Sequence, residues 1–274
     1  TVGTVVSAAF EYATGVTSVT MGKGVTNIGY SAFYDCSALT AITVNVTNAF
    51  NSTTNGVLFD KAKSVLIQYT SGLPGEYDLP NTVSNIGDGA FGDAFGLTSV
   101  VIPNNVTNIG NEVFYSCINL ETVVMGTKVR TIQRAAFVFC SALKSITFPA
   151  SVTSLGFEAF AGCQSLTNAC FEGNAPVNQG SVFYFDFALQ QILHVNGTTG
   201  WNATYDGLPT AICTSCGGVP PTLTISQAGT NVVVTWPTVF PGYTLQSATN
   251  LMSATWNAVS PSPTTVGSLF TVTN

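Results

Sequence analysis

The chain has 274 residues, 7 Lys and Arg against 13 Asp and Glu, and a formal charge of -6. Only 7% of its residues are charged, where a soluble domain usually carries about 25%. Nucleic acid and anionic membrane surfaces are excluded as partners because both need a concentrated positive field. Membrane insertion is excluded too, since no apolar run approaches the roughly 18 residues of a span.

Ser, Thr and Asn supply the polarity instead, and residues 207–274 contain no Asp, Glu, Lys or Arg. Such surfaces suit an extracellular repeat protein or one whose faces are buried when copies assemble. The opening "TVGTVVSAAF" lacks the basic region and long apolar stretch of a signal peptide. The expectation is a leader already removed, or a start partway through a longer chain.

From the first residues onward one phrase recurs. Phe10, Phe33, Phe91, Phe114, Phe137, Phe160 and Phe183 are spaced by 23 residues, except for a gap of 58 after Phe33 that equals one unit of 23 plus one of 35. Val5, Ile28, Ile86, Ile109, Ile132 and Leu155 precede their phenylalanines by five residues; Val16, Leu39, Leu97, Leu120, Leu143, Leu166 and Leu189 follow by six. A fixed period of this length is the mark of a solenoid, whose units bury their apolar sides only by stacking on one another. Within a unit, "LETVVM" and "LKSITF" alternate as short strands do. "NEVFYSC" and "RAAFVFC" predict a helical turn on the opposite side. "IPNNVTNIG" predicts the bend, with Pro80 and Pro103 at one site and Gly29, Gly87, Gly110 and Gly156 at another. The core is expected to be one continuous column of equivalent side chains.

"LTSVVIPNNVTNIGNEVFYSC" and "LKSITFPASVTSLGFEAFAGC" resemble the leucine-rich repeat of bacterial surface antigens and related protist surface proteins, over about residues 2–195. "NGVLFDKAKSVLIQYTSGLPGEYDLPNTVSNIGDGAF" is similar to the longer unit of that family, with Tyr69 and Gly72 at matching places and Ser71 where proline is expected. The resemblance implies a solenoid fold. Function is left open by it, because the same coil serves adhesion, binding and structural uses.

Cys36, Cys117, Cys140 and Cys163 each follow their phenylalanine by three residues, and neighbouring coils stack them about 5 Å apart. A straight column does not make the tetrahedral cluster of a metal site. These cysteines read as one packing position repeated, small and buried. Cys170, Cys213 and Cys216 fall outside the ladder. "CTSCGG" lacks the second half of a zinc knuckle and the helix start of a redox motif, so a structural disulfide is expected, either Cys213 with Cys216 or Cys170 with one of them.

After Phe183 the repeat decays. Trp201 and Tyr205 are expected to form a lid over the last open core, and also to offer interface rings together with Tyr243. The solenoid and its cap then span 1–212, a linker 213–221, and a second domain 222–274. In the latter, "LTISQ", "NVVVTWP", "YTLQSAT", "TWNAVS" and "SLFTVT" predict five strands of a small β-sandwich, separated by turns such as "SPSPTTVG". It resembles the immunoglobulin-like or fibronectin-like module of secreted bacterial proteins, with Trp236 as core tryptophan, Trp256 against it, and one or two edge strands missing.

No chemistry stands out. His194, the single histidine, has no nearby ligand residue and reads as a capping side chain. Glu76 with Asp78, and Asp88 with Asp93, are too isolated for a glycosidase pair. No calcium loop or phosphate loop is present, and no cofactor is expected. Sequons occur at Asn45, Asn51, Asn105, Asn196 and Asn202. The reading is a non-enzymatic extracellular or cell-surface protein that binds a protein or glycan, or joins further copies of itself end to end into a filament or surface layer.

Overall fold

The structure, a computed structural model, describes residues 3–29, 31–213 and 215–216, and beyond them the strands of the last segment. The chain divides into two compact units, Thr1–Gly217 and Gly218–Asn274.

In the first unit each coil contributes to parallel ladders. Along one side run Ser18–Met21, Ala41–Val44, Gly75–Asp78, Leu97–Val101, Thr122–Val124, Ser145–Phe148, Asn168–Phe171, Ile192–Val195 and Leu208–Cys213. Pairing sets Val100 opposite Val123, and Ile146 opposite Ala169 and then Ile192. Residues one period apart therefore face each other, and their alternation puts one apolar set inside. The segment expected to be only a bend carries a second ladder, Asn108–Ile109, Thr131–Ile132, Ser154–Leu155 and Val177–Asn178. The recurring glycines serve close approach here: a Cβ on Gly156 would lie 2.5 Å from the backbone of Gln133 and Arg134, and one on Gly29 2.3 Å from Ser7 N.

The expected helical turn does not form; no helix occurs among the described residues. Backbone accounting explains this. Every second amide of the phenylalanine segment donates across to the next coil, as in Phe114 N to Ala136 O (2.8 Å), Ser116 N to Val138 O (2.8 Å), Phe137 N to Ala159 O (2.7 Å) and Phe139 N to Ala161 O (2.9 Å). The amides between them close four-residue turns, Tyr115 N donating to Glu112 O and Val138 N to Ala135 O. An α-helix would take all these donors for itself. The left-handed residues two before and two after each phenylalanine, such as Glu112 and Ser116 (φ 57° and 59°) or Ala135 and Phe139 (53° and 60°), break any helix.

The phenylalanines form a stack. Ring centroids of Phe91, Phe114, Phe137 and Phe160 are 4.8, 4.9 and 4.8 Å apart in succession, and all four residues are fully buried. In the long unit Tyr69 takes the place of a phenylalanine, stacked 4.9 Å from Phe91 and itself buried. The same unit contains an antiparallel run, Asn51–Thr54, Val57–Asp60 and Val65–Gln68, the last rejoining Asn85–Ile86 in parallel. Asn55 and Gly56, both at positive φ (50° and 82°), make the hairpin turn.

That run divides the interior, so the expected single column is two. Alternate side chains of Val57–Asp60 point apart: Val57 and Phe59 join the large core that reaches Ile192, whereas Leu58 joins Met21, Phe33, Leu39 and Ile42 in a smaller one. At the far end Trp201 and Tyr205 close the large core against Phe171, at 5.0 and 5.7 Å. His194 lies parallel to the Trp201 ring at 4.8 Å and meets Thr198 through Nδ1.

The second unit is antiparallel. Thr224–Ala228, Asn231–Pro237, Leu269–Thr273 and Thr264–Val266 form one sheet in that order, and Gln246–Ser247 pairs with Asn257–Ala258. Thr264–Val266 lies in the stretch expected to be a turn. The side chains of Trp236, Trp256 and Tyr243 lie outside the described residues.

Candidate binding face

The ladder side carries small hydroxyls; Thr20 and Thr43, for example, meet at 3.1 Å on an exposed strand face. Large exposed rings stand on the turn side instead. The residue two beyond each ladder phenylalanine is left-handed in every regular coil: Tyr12 (φ 59°), Asp35 (50°), Asp93 (55°), Ser116 (59°), Phe139 (60°), Gly162 (75°) and Phe185 (64°). This conformation costs an L-residue roughly 1–2 kcal/mol and suits glycine. Yet Tyr12, Phe139 and Phe185 sit there, 62%, 46% and 50% exposed.

Two aromatic patches result. In the first, Tyr12 meets Tyr34 at 5.8 Å, Tyr34 meets Tyr115 at 6.4 Å, and Tyr115 meets Phe139 at 5.9 Å. Gly162 leaves room for the last ring, because a Cβ there would be 2.6 Å from Phe139 Cδ1. Beneath the tyrosines lies Asp93, a buried carboxyl whose anionic form is favoured by the neighbouring Tyr34 and Ser116 hydroxyls and the Asp35 amide. Its Oδ2 has no partner. Burial first, and then the Asp35 charge, push its pKa up to about 6. Burial and the Asp93 carboxylate raise the Tyr34 hydroxyl far above its usual range.

The second patch borders a cleft of 480 Å³ lined by Tyr184, Phe185, Phe187, Gln190 and Asp206. Tyr184 and Phe185 are 4.0 Å apart and Phe187 is 76% exposed. Asp206 is committed to the fold, accepting from Asn178 Nδ2 (3.0 Å) and Phe183 N (2.8 Å). Asp186, on the cleft wall, occupies the cysteine rung of its coil. Burial drives its pKa up to about 7, and neither carboxylate oxygen has a directed hydrogen-bond partner. The neighbouring Gly162 and Cys163 amides act against that rise, but both donate to carbonyls, of Tyr184 and Phe160.

The other residues singled out by sequence have structural places. Cys36, Cys117, Cys140 and Cys163 are fully buried, and each thiol donates to the carbonyl of a phenylalanine in the neighbouring coil: Phe10, Phe91, Phe114 and Phe137, at 3.0–3.2 Å. Burial raises the Cys36, Cys117 and Cys140 thiols. Cys170 is bonded to Cys216, and Cys213 is free. Trp201 and Tyr205 belong to the cap, half-buried against the core rather than displayed; Tyr243 is not described. Asp88 accepts from Asn111 and stands apart from Asp93's hydrogen-bond set. Among the sequons, Asn51 is buried with its amide on Val25 O, a site closed to a glycan in the folded chain.

Taken together, parallel coils, a two-ladder cross-section and a stacked phenylalanine spine define a leucine-rich repeat solenoid. The chain belongs to the BspA-type leucine-rich repeat family, whose repeat matches in 6 copies over residues 1–73 and 74–190. Two solved structures share the fold. The pneumococcal vaccine antigen PcpA matches with a TM-score of 0.61 at 21% identity, over 73% of this chain and 52% of its own. A leucine-rich cell surface protein of Faecalibacterium prausnitzii matches with a TM-score of 0.60 at 30% identity, over 67% of this chain and 48% of its own. The chain thus spans about half the length of each. No curated protein matches its sequence. No helix among the described residues is long and apolar enough to cross a membrane.

Proposed function

We propose that this chain is a non-enzymatic extracellular or cell-surface binding protein that takes up a protein or glycan on the turn side of its solenoid. The carrying observation is the placement of Tyr12, Phe139 and Phe185 as exposed rings at left-handed positions. Folding favours glycine there, so a bulky ring is explained by a task other than folding. Exposed aromatics beside hydroxyls and amides are the usual means of gripping protein side chains, and the apolar faces of sugars offer the same rings a stacking surface. The surface description of the Faecalibacterium relative supports the location.

End-to-end assembly finds less support, because Trp201 and Tyr205 close the C-terminal core of the solenoid. Sizing by light scattering distinguishes a dispersed chain from a polymer. The binding reading is tested by replacing Tyr12, Phe139 and Phe185 together with glycine and screening both chains against immobilised polysaccharides and extracellular-matrix proteins. At least a tenfold loss of whatever the parent binds is expected, with unchanged circular dichroism. Equal binding by both chains would remove the turn side from consideration.

A further inference from the structure

Strand alternation in Asn168–Phe171 turns Ala169 and Phe171 into the large core and Cys170 to the opposite face. The returning chain covers Cys170 there: Cys216 is bonded to it, and Thr147 Oγ1 donates to the Cys216 carbonyl at 3.4 Å. Cys213, the last residue of Leu208–Cys213, brings a third sulfur to within 3.5 Å of Cys170 Sγ. All three sulfurs lie within 4.8 Å of one another. The four ladder cysteines are sealed in the core and hydrogen-bonded to carbonyls, whereas Cys213 is partly exposed and its Sγ contact is with Cys170.

We propose that Cys170, Cys213 and Cys216 form an intramolecular thiol–disulfide exchange site, in which Cys213 displaces Cys216 from Cys170 and frees the chain at residue 216 from the end of the solenoid. The Cys213 thiolate attacks Cys170 Sγ. A Cys170–Cys213 bond forms, the Cys170–Cys216 bond breaks, and its electron pair leaves on the Cys216 sulfur, which takes up the proton that Cys213 gave up. One disulfide and one thiol stand on each side, so no oxidant or reductant is consumed. The Cys213 sulfur lies beside the existing bond, and attack requires it to move to the side of Cys170 opposite Cys216.

The two pairings enclose loops of similar length, with sequence separations of 46 and 43 residues. Chain entropy therefore favours neither. What differs is the covalent tie: in one pairing residue 216 is bonded to the strand at Cys170, and in the other it is held only by contacts such as that from Thr147. The free thiol passes from residue 213 to residue 216.

The test maps the pairings in the full oxidised chain. The protein is held at about pH 8, where thiolate is available, then quenched in acid, digested, and its disulfide-linked peptides identified by mass spectrometry. Both Cys170–Cys216 and Cys170–Cys213 peptides are expected. Cys213→Ser should retain only the first, and Cys216→Ser should form the second, leaving neither Cys170 nor Cys213 open to alkylation after unfolding. The proposal is overturned if only Cys170–Cys216 survives prolonged incubation, if Cys213 pairs with Cys216 instead, or if folded Cys216→Ser carries two free thiols at 170 and 213. Should that variant misfold, the parent chain's peptide map decides.

Discussion

Replacing Phe137 by alanine probes the spine of the solenoid most directly. Phe137 is fully buried, with rings stacked on both sides at 4.9 and 4.8 Å. A buried Phe→Ala change costs about 3–5 kcal/mol, and two lost stacking partners put this site near the top of that range, about 4–5 kcal/mol. Phe10 has the same register but is 37% exposed and stacks on one ring, Phe33. Its removal loses roughly 2 kcal/mol, since part of the ring already faces water. Phe139 supplies the control: it is 46% exposed at φ 60°, two residues from Phe137. Phe139→Gly loses its contact with Tyr115 but relieves a left-handed side chain, so stability should stay within about 1 kcal/mol of the parent. Urea unfolding at 25 °C, followed by near-ultraviolet circular dichroism, gives the midpoint and slope for each chain. Equal losses for Phe137→Ala and Phe10→Ala, or a loss above 3 kcal/mol for Phe139→Gly, would refute a stability carried by the fully buried rings of the phenylalanine stack.

The remaining expectations concern the divided core, the acids and the thiols. Phe33→Ala should let the first coils open while amides of the Phe114 and Phe137 coils keep their protection, because Phe33 lies in the smaller core; hydrogen exchange by mass spectrometry reads this, and uniform loss of protection would count against it. Asp186 has a folded pKa raised to about 7 from 3.8, so the neutral form suits the fold: its contribution is intact below about pH 4 and declines as pH rises through 7. Asp186→Cys, which restores the rung's usual residue, should therefore be more stable than the parent at pH 8 and lose that advantage by pH 4, measured by urea midpoints at both. Cys140→Ala should cost about 1 kcal/mol or somewhat more, through the lost bond to the Phe114 carbonyl and a small void. Native alkylation should take one equivalent of reagent per chain, since the four ladder thiols are fully buried and two of the other three cysteines are bonded; rapid uptake of several equivalents would contradict the packing.

The solenoid was legible because its interior is written at one spacing. Phe91, Phe114, Phe137 and Phe160 stack as equivalent residues, and so do Ile109, Ile132 and Leu155 of the second ladder. Local reasoning failed where bonding runs between coils. "RAAFVFC" has the composition of a helical turn, but Phe137 and Phe139 donate to Ala159 and Ala161 of the next coil, a partner that a single unit does not reveal. The Asn55–Gly56 turn between "NSTT" and "VLFD" was a readable hairpin signal. Tyr69 in the phenylalanine stack was harder to find, because the antiparallel run shifts its spacing to Phe91 from 23 residues to 22. The third sulfur beside Cys170 depends on how the chain returns after Leu208–Cys213, which cysteine spacing alone leaves open.

The aromatic turn side shows most clearly why a site can hide within a repeat. Periodicity selects positions where every coil agrees, and the position two beyond the phenylalanine holds Tyr, Asp, Asp, Ser, Phe, Gly and Phe in successive regular coils. By residue type it looks unconstrained; by backbone it is among the most constrained, left-handed each time. A structural requirement alone would fill it with glycine or asparagine, as Gly162 illustrates. Three of the departures from that preference, Tyr12, Phe139 and Phe185, are exposed rings, and a fourth, Asp93, is a buried carboxyl whose pKa is pushed up to about 6. The fold is thus specified by what the coils share, and the proposed recognition surface by the residues with which individual coils oppose the shared backbone.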